Sequence, residues 1–349
     1  MFVVYSILLF SFLIFIHELG HFITAKLSGV QVNEFSLFMG PAIFKKQIGE
    51  TLYSIRLIPI GGYCAMEGED EDTENPRSFR SAKWWKRLII LVAGAAMNFI
   101  VGVILLFIVF SNYVRLDEPV LVDQLPGNAV IQEDGLHIGD RFLEINGEKV
   151  YMTNDITMLL SLSDDTPNLV VERDGKTMRF DNYLMEKKVF QEGAAPVYGI
   201  SFGTIENTFG NRLAYTWNYT VDMVRSVRLS LQLLITGKVG VQAMSGPVGI
   251  VQVMSDSASQ AETAKGAILT LLLFGGFLGI NLAVMNLLPI PALDGGRIVG
   301  LLLTLAVEKI TRKKVSPKIE GYIHGIGMIL LLALMAIIMF KDVIFLFRG

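Results

Sequence analysis

His17-Glu18-Leu19-Gly20-His21 is the stretch whose residue types and spacing can do chemistry. On an α-helix, positions i and i+4 share a face, so His17 and His21 can aim two imidazoles at one metal ion. Glu18, next to the first of them, does not bind the metal; its role in such a motif is to polarise a water and shuttle its proton. Zinc is the expected ion, because neutral imidazole with a carboxylate suits it and hydrolysis needs no redox change. The five residues lie in an otherwise apolar run from Met1 to about Leu27. Ionisable groups inside a spanning segment cost about 2.5–3.5 kcal/mol each on insertion scales, so they are read as functional. The bland alternative is a chance grouping at a helix end.

The elements that must position this motif are mostly membrane helices. Of 349 residues, 52% are hydrophobic and only 18% charged, which excludes an ordinary soluble enzyme and indicates a polytopic membrane protein. A formal net charge of −3 and the lack of a basic tract give no reason to expect nucleic acid as a partner. Cys64 is the only cysteine, which excludes an intrachain disulfide and a thiolate cluster. The opening run resembles a signal peptide in position but carries the metal motif with no small-residue cleavage site before it, so it is read as retained.

Four spans are expected: about Phe2 to Lys26, Leu88 to Phe110, Ala267 to Leu288, and Gly321 to Phe347. Between the first two, Ser54 to Ile60 reads as extended before Gly61-Gly62, and the acidic tract Glu67 to Asp72 reads as a solvated loop. Ser111 to about Gly210 has polar turns and short alternating strands, the pattern of a β-rich domain of ordinary size. Asn211 to Leu234 is amphipathic and reads as either a membrane-surface helix or a linking helix. Pro289 to Arg297 breaks the third span, with Gly295-Gly296 permitting unusual dihedrals. Ile298 to Val307 is too short to cross alone and suggests a re-entrant or partly buried helix. The resulting domains are 1–110, 111–210, 211–266 and 267–349.

Nine Lys and Arg residues fall between Phe22 and Arg87 and six between Arg297 and Lys318. Both stretches are therefore expected on the cytoplasmic side, with the chain ends and the β-rich domain outside. A hydrolytic zinc site needs three protein ligands and an open position. Asp294, just past the third span and on the same expected side as His21, is the candidate third ligand; a solvated helix-cap aspartate is the alternative.

His17-Glu18-x-x-His21 in a first span, with Asn286-x-x-Pro289-x-Pro291-x-x-Asp294-Gly295 at the end of a third, resembles the site-2 protease family of intramembrane zinc metalloproteases, in its bacterial RseP type. The resemblance covers nearly the whole chain. It implies zinc held by His17, His21 and Asp294, with Glu18 catalytic. It implies substrate contacts at Gly61, Gly62, Tyr63, Asn281, Asn286, Pro289 and Pro291, with Gly61-Gly62-Tyr63 in a re-entrant β-hairpin. Ser78-Phe79 through Arg87 resembles the family's approach to its second span, and Ser245-Gly246-Pro247-Val248-Gly249 its signature before the third. Pro126-Gly127-Asn128-Ala129, Gly135 through Arg141 and Ile145-Asn146-Gly147 resemble a PDZ module, with room for one where the best-known type carries two. Gly94-Ala95 departs from the usual Gly-Pro, with a modest local effect expected.

The fold expected is thus a polytopic α-helical membrane protein with four transmembrane helices, a re-entrant β-hairpin and an inserted β-rich PDZ-like domain. It would sit in a bacterial plasma or inner membrane. Its partners would be the lipid bilayer, single-span membrane proteins or remnant signal peptides as substrates, and a peptide ligand of the PDZ-like domain. Two other classes compete. A transporter in which His17, Glu18, His21 and Asp294 relay protons or metal ions would favour inverted repeats, and none is evident. A PDZ-based scaffold would leave the metal site vestigial. His324 reads as a hydrogen-bonded bundle residue and His137 as a surface or packing residue.

Overall fold

The computed structural model describes residues 2–69, 73–126, 130–131, 133–185, 187–190, 196–237, 246–312 and 317–348. In chain order its elements are α1 (Phe2–Ser28), β1 (Val32–Ile48), β2 (Thr51–Met66), α2 (Trp84–Phe110), β3 (Arg115–Gln124), β4 (Arg141–Ile145), β5 (Glu148–Lys149), α3 (Thr153–Ser161), β6 (Leu169–Arg173), β7 (Lys176–Phe180), β8 (Ile200–Glu206), α4 (Phe209–Ile235), α5 (Pro247–Ser259), α6 (Ala264–Asn286), α7 (Asp294–Thr311) and α8 (Pro317–Arg348). They form two compact units, one of Met1–Leu106 with Val227–Gly349 and one of Phe107–Ser226.

Among the described residues, four helices are long and apolar enough to cross a membrane: Phe2–Ser28, Trp84–Phe110, Ala264–Asn286 and Gly321–Asp342; all lie in the first unit except the end of the second, from Phe107 on. Apolar sequences of this length are helical because lipid offers no partner for a bare N–H or C=O. α1 ends where Gly29 takes φ 81°. There the Val30 N–H reaches the Ala25 carbonyl at 2.9 Å and the Gly29 N–H reaches the Lys26 carbonyl at 3.1 Å. That pairing satisfies carbonyls the helix would otherwise leave open. α2 and α6 meet through small residues. A Cβ on Gly276 would lie 2.7 Å from the Leu106 side chain, and one on Gly279 3.0 Å from the Asn98 carbonyl oxygen. Close helix approach of this kind is how membrane bundles gain packing without a hydrophobic drive.

Extended structure before α2 is far longer than Ser54 to Ile60. β1 and β2 form an antiparallel hairpin, and its pairs show both strands bending back on themselves. Val32 pairs with Met66 and Leu37 with Gly62, while Glu34 to Leu37 also runs beside Leu52 to Ile55. Phe38 (φ 70°), Gly40 (φ 85°) and Gly61 (φ 82°) mark the bends. The buried side of this sheet meets the helices in a core of Ala25, Val32, Phe35, Cys64, Met66, Phe79, Ile90, Leu91 and Leu301.

α7 contains the short apolar run from Ile298 to Val307 and is not among the four candidate spans. The glycines that open it act differently from expectation. Neither Gly295 nor Gly296 has a positive φ; the left-handed residue is Ala292, at φ 81°. A Cβ on Gly295 would lie 2.2 Å from the Leu288 carbonyl oxygen and one on Gly296 2.3 Å from that of Ile290. Close backbone approach, not an unusual dihedral, requires glycine there.

The second unit is a six-stranded sheet of order β7-β6-β4-β3-β8, with β5 beside β4. Its core includes Leu116, Leu121, Phe142, Ile145, Ile156, Leu159, Leu169 and Val171. Asp140 is fully buried and bound by Arg173, whose Nε and Nη2 each donate over 2.7 Å. The first part of α4 belongs to this unit: Phe110 packs edge-on against Tyr215 and Tyr219, and Arg225 pairs with Asp155 at 2.8 Å. Tyr215, Thr220 and Arg225 of α4 are buried, while Phe209, Leu213 and Trp217 on another of its faces are exposed. His137 is partly buried, its ring nitrogen 2.9 Å from the Glu133 carbonyl oxygen. The side chain of His324, Ser245 and residues 127–129 lie outside what the structure describes.

Candidate metal centre

α1 brings His17 and His21 to one face with their Nε2 atoms 3.2 Å apart. The first residue of α7 then closes the group: Asp294 Oδ2 is 3.1 Å from His17 Nε2 and 3.4 Å from His21 Nε2. The three potential ligand atoms lie within 4.8 Å of one another. A tetrahedral zinc with bonds of about 2.0–2.1 Å sets its ligands roughly 3.3 Å apart, so the spacing fits one ion. Two imidazoles and one carboxylate also leave a fourth position open, as a hydrolytic site requires.

The surroundings orient these groups. His21 Nδ1 lies 2.8 Å from the Ile90 carbonyl oxygen, which can only accept; Nδ1 therefore carries the proton and Nε2 offers its lone pair to the ion. The Asn98 and Asn286 amides each lie 3.5 Å from His17 Nδ1. Gly94 makes room for the pair, since a Cβ there would lie 2.4 Å from His21 Nε2 and 2.8 Å from His17 Cε1.

A cavity of about 380 Å³ opens over this group, lined among others by His17, Glu18, His21, Tyr63, Asn286 and Asp294. Glu18 receives the backbone N–H of Cys64, so β2 fixes the carboxylate beside the imidazoles. Tyr63 through Met66 line one wall. Tyr63 is itself tethered, its hydroxyl accepting from Arg56 at 2.5 Å while Arg56 also donates to Glu34 at 2.7 Å. Gly62 lies against Glu18, where a Cβ would be 3.5 Å from Glu18 Cγ.

Other residues singled out from the sequence stand elsewhere. Asn281 lies on α6 five positions before Asn286 and does not line this cavity, nor do Pro289 and Pro291, which shape the turn into α7. The acidic tract needs correction: Glu69 lines the cavity and pairs with Arg297, so it is no solvated loop residue. Residues 70–72 lie outside the described residues. Glu69, Arg297 and the Ile90 carbonyl carried no local signal for this site, because each acquires its place through a contact distant in sequence, and Gly94 was marked only by the family resemblance.

The family model for peptidase family M50 matches residues 5–334. The chain is 35% identical over 350 residues to a protein of Clostridium perfringens named as a zinc metalloprotease, covering 99% of both chains. It is 30% identical over 426 aligned positions to the regulator of sigma-W protease RasP of Bacillus subtilis, covering 98% of each. A protein of Helicobacter pylori named as a zinc metalloprotease is 31% identical over 369 residues, with 98% of this chain and 99% of that one covered. The chain belongs to peptidase family M50, the site-2 proteases, and is a zinc metalloprotease. Its four apolar helices accord with a multi-pass membrane protein.

Proposed function

We propose that this chain is an intramembrane endopeptidase that cuts single-span membrane substrates, anti-sigma factors or remnant signal peptides among them. The observation that carries the reading is the convergence of His17, His21 and Asp294 beside Glu18, in a cavity whose wall is a strand edge. His17, His21 and Asp294 are the residues that would hold zinc, which when bound polarises the scissile carbonyl and makes water more acidic. Glu18 takes the proton of the attacking water and returns it to the leaving amine.

A peptide bond within a lipid-embedded helix is shielded because its carbonyl and amide are already paired. Cutting it requires local unwinding with replacement partners for the freed groups. Gly62 to Met66 pairs with Val32 to Leu37 on one side, and Tyr63 to Met66 faces the cavity, so this edge can receive an unwound substrate as an added strand. Entry of the hairpin into the membrane is part of the same reading. The Asn286 amide can pair with a freed backbone group; Asn281 would act further along the substrate. Pro289 and Pro291 hold the turn that presents Asp294.

The distribution of Lys and Arg supports a cytoplasmic-side metal site and an extracytoplasmic β-rich unit. In that unit a cleft of about 320 Å³ runs between α3 and the edge strand β8, lined by Ile156, Leu160, Lys187 and Ile200. An edge strand beside a helix is the arrangement by which a PDZ-like module takes a peptide. The sigma-W regulator among the relatives supports anti-sigma factors as one substrate class. The test is Glu18→Gln in the full-length protein against a tagged single-span substrate. Cleavage should fall by about 10²–10⁴-fold with zinc content unchanged; full activity would refute the assignment.

A further inference from the structure

One stripe of α2 meets the two imidazoles. Ile90, Gly94 and Asn98 follow one another at i, i+4 and i+8, the spacing that places residues along a single helix face. α1 and α2 approach closely there, since a Cβ on Gly20 would lie 2.4 Å from the Ala93 carbonyl oxygen. The Ile90 carbonyl oxygen is 2.8 Å from His21 Nδ1, and Gly94 leaves the space in which both rings sit. Asn98 comes to His17, its amide 3.5 Å from Nδ1.

His17 needs an acceptor at Nδ1. Its Nε2 is the nitrogen beside Asp294 Oδ2 and His21 Nε2, so that nitrogen is the one with a lone pair to offer an ion held there. A neutral imidazole carries one N–H, which then sits on Nδ1. Inside a membrane bundle an unpaired N–H is costly. Two amides reach Nδ1, those of Asn98 and Asn286, and both stand with Nδ2 toward it. An NH2 group cannot accept a hydrogen bond and the amide oxygen can, so one of the two must present its oxygen.

The surroundings favour Asn98. It is 1% exposed, and its Oδ1 has no hydrogen-bond partner among the described residues. Turning this amide over breaks no bond to that oxygen and gives it the partner it lacks. The residue is also clamped from the other side, where a Cβ on Gly279 of α6 would lie 3.0 Å from its backbone carbonyl oxygen. Asn286 differs on both counts: it is only partly buried, and it lines the cavity over the metal centre.

We propose that Asn98 is the positioning residue of His17. Its side-chain oxygen accepts the Nδ1 proton and fixes the tautomer and direction of the ring, which leaves the Asn286 amide free to meet substrate. Partners of this kind orient metal-binding histidines and raise their basicity. With the Ile90 carbonyl doing the same for His21, a single face of α2 aims both imidazoles. The inference rests on His17, His21 and Asp294 being the zinc ligands.

The test is the zinc affinity of the full-length protein, measured by competition with a chelating dye. Asn98→Leu keeps the size of the side chain and removes the acceptor, and should weaken zinc binding about 10–100-fold. Asn98→Asp keeps an acceptor and should bind zinc as wild type does. A residue that only packed the helices would rank the two the other way, because a carboxylate inside the bundle disturbs it more than leucine. Asn286→Leu should retain wild-type affinity. Cobalt-substituted wild type needs no substitution in the chain: two slowly exchanging Nδ1–H proton resonances are expected, one for each ring. His17→Ala tests the ligand set by itself, since wild-type affinity there refutes the zinc assignment and not the part of Asn98. Wild-type affinity in Asn98→Leu, weaker binding in Asn98→Asp than in Asn98→Leu, a loss in Asn286→Leu as large as in Asn98→Leu, or a single slow resonance would overturn the proposal.

Discussion

Asp294 is held by its partners more than by its neighbours in sequence: both imidazoles face one of its oxygens within 3.4 Å. Gly94 is just as constrained, since its missing side chain is the space in which the pair sits. Gly94→Ala should therefore displace an imidazole and lower zinc occupancy at least about tenfold while the helices still form; zinc analysis of the purified variant checks this. The i, i+4 spacing of His17 and His21 was legible because it is local and needs only a helix. Asp294 was a candidate from its place just past the third span on the expected side of His21, and the pattern around Asn286 and Pro289 singled it out. The pairing of Glu69 with Arg297 was not, because an acidic run reads as solvated unless one knows which cation, 228 positions away, comes to meet it.

Among the elements, helices were the easiest to read and the bent hairpin the hardest. Long apolar runs in lipid have one backbone solution, so α1, α2, α6 and α8 follow from length and composition. The β1–β2 hairpin turns at Phe38, Gly40 and Gly61, and its double pairing has no sequence period of its own. Close contact of α2 with α6 rests on Gly276, where a Cβ already lies 2.7 Å from Leu106 and 3.1 Å from the Gly102 carbonyl oxygen. Gly276→Leu should push the helices apart and cost about 1–3 kcal/mol, seen as a lowered thermal midpoint of the full-length protein. In the β-rich unit, Arg173→Met would strand the buried Asp140 carboxylate. A loss of about 3 kcal/mol is expected, measured as faster amide exchange in β4 and β6.

For the whole molecule, the low charge content and the apolar runs fixed the membrane class, and family M50 membership assigns the chemistry. That membership leaves open which atoms hold the zinc. Two nitrogens from one membrane helix and one oxygen from the start of another helix are placed to grip it. Cys64 lines the same cavity and offers the rival donor. Zinc-edge X-ray absorption of the full-length protein decides between them. Two imidazole nitrogens and a carboxylate oxygen are expected at about 2.0–2.2 Å, with the carboxylate lost in Asp294→Ala. A sulfur shell at about 2.3 Å, or an unchanged spectrum in that variant, would contradict it.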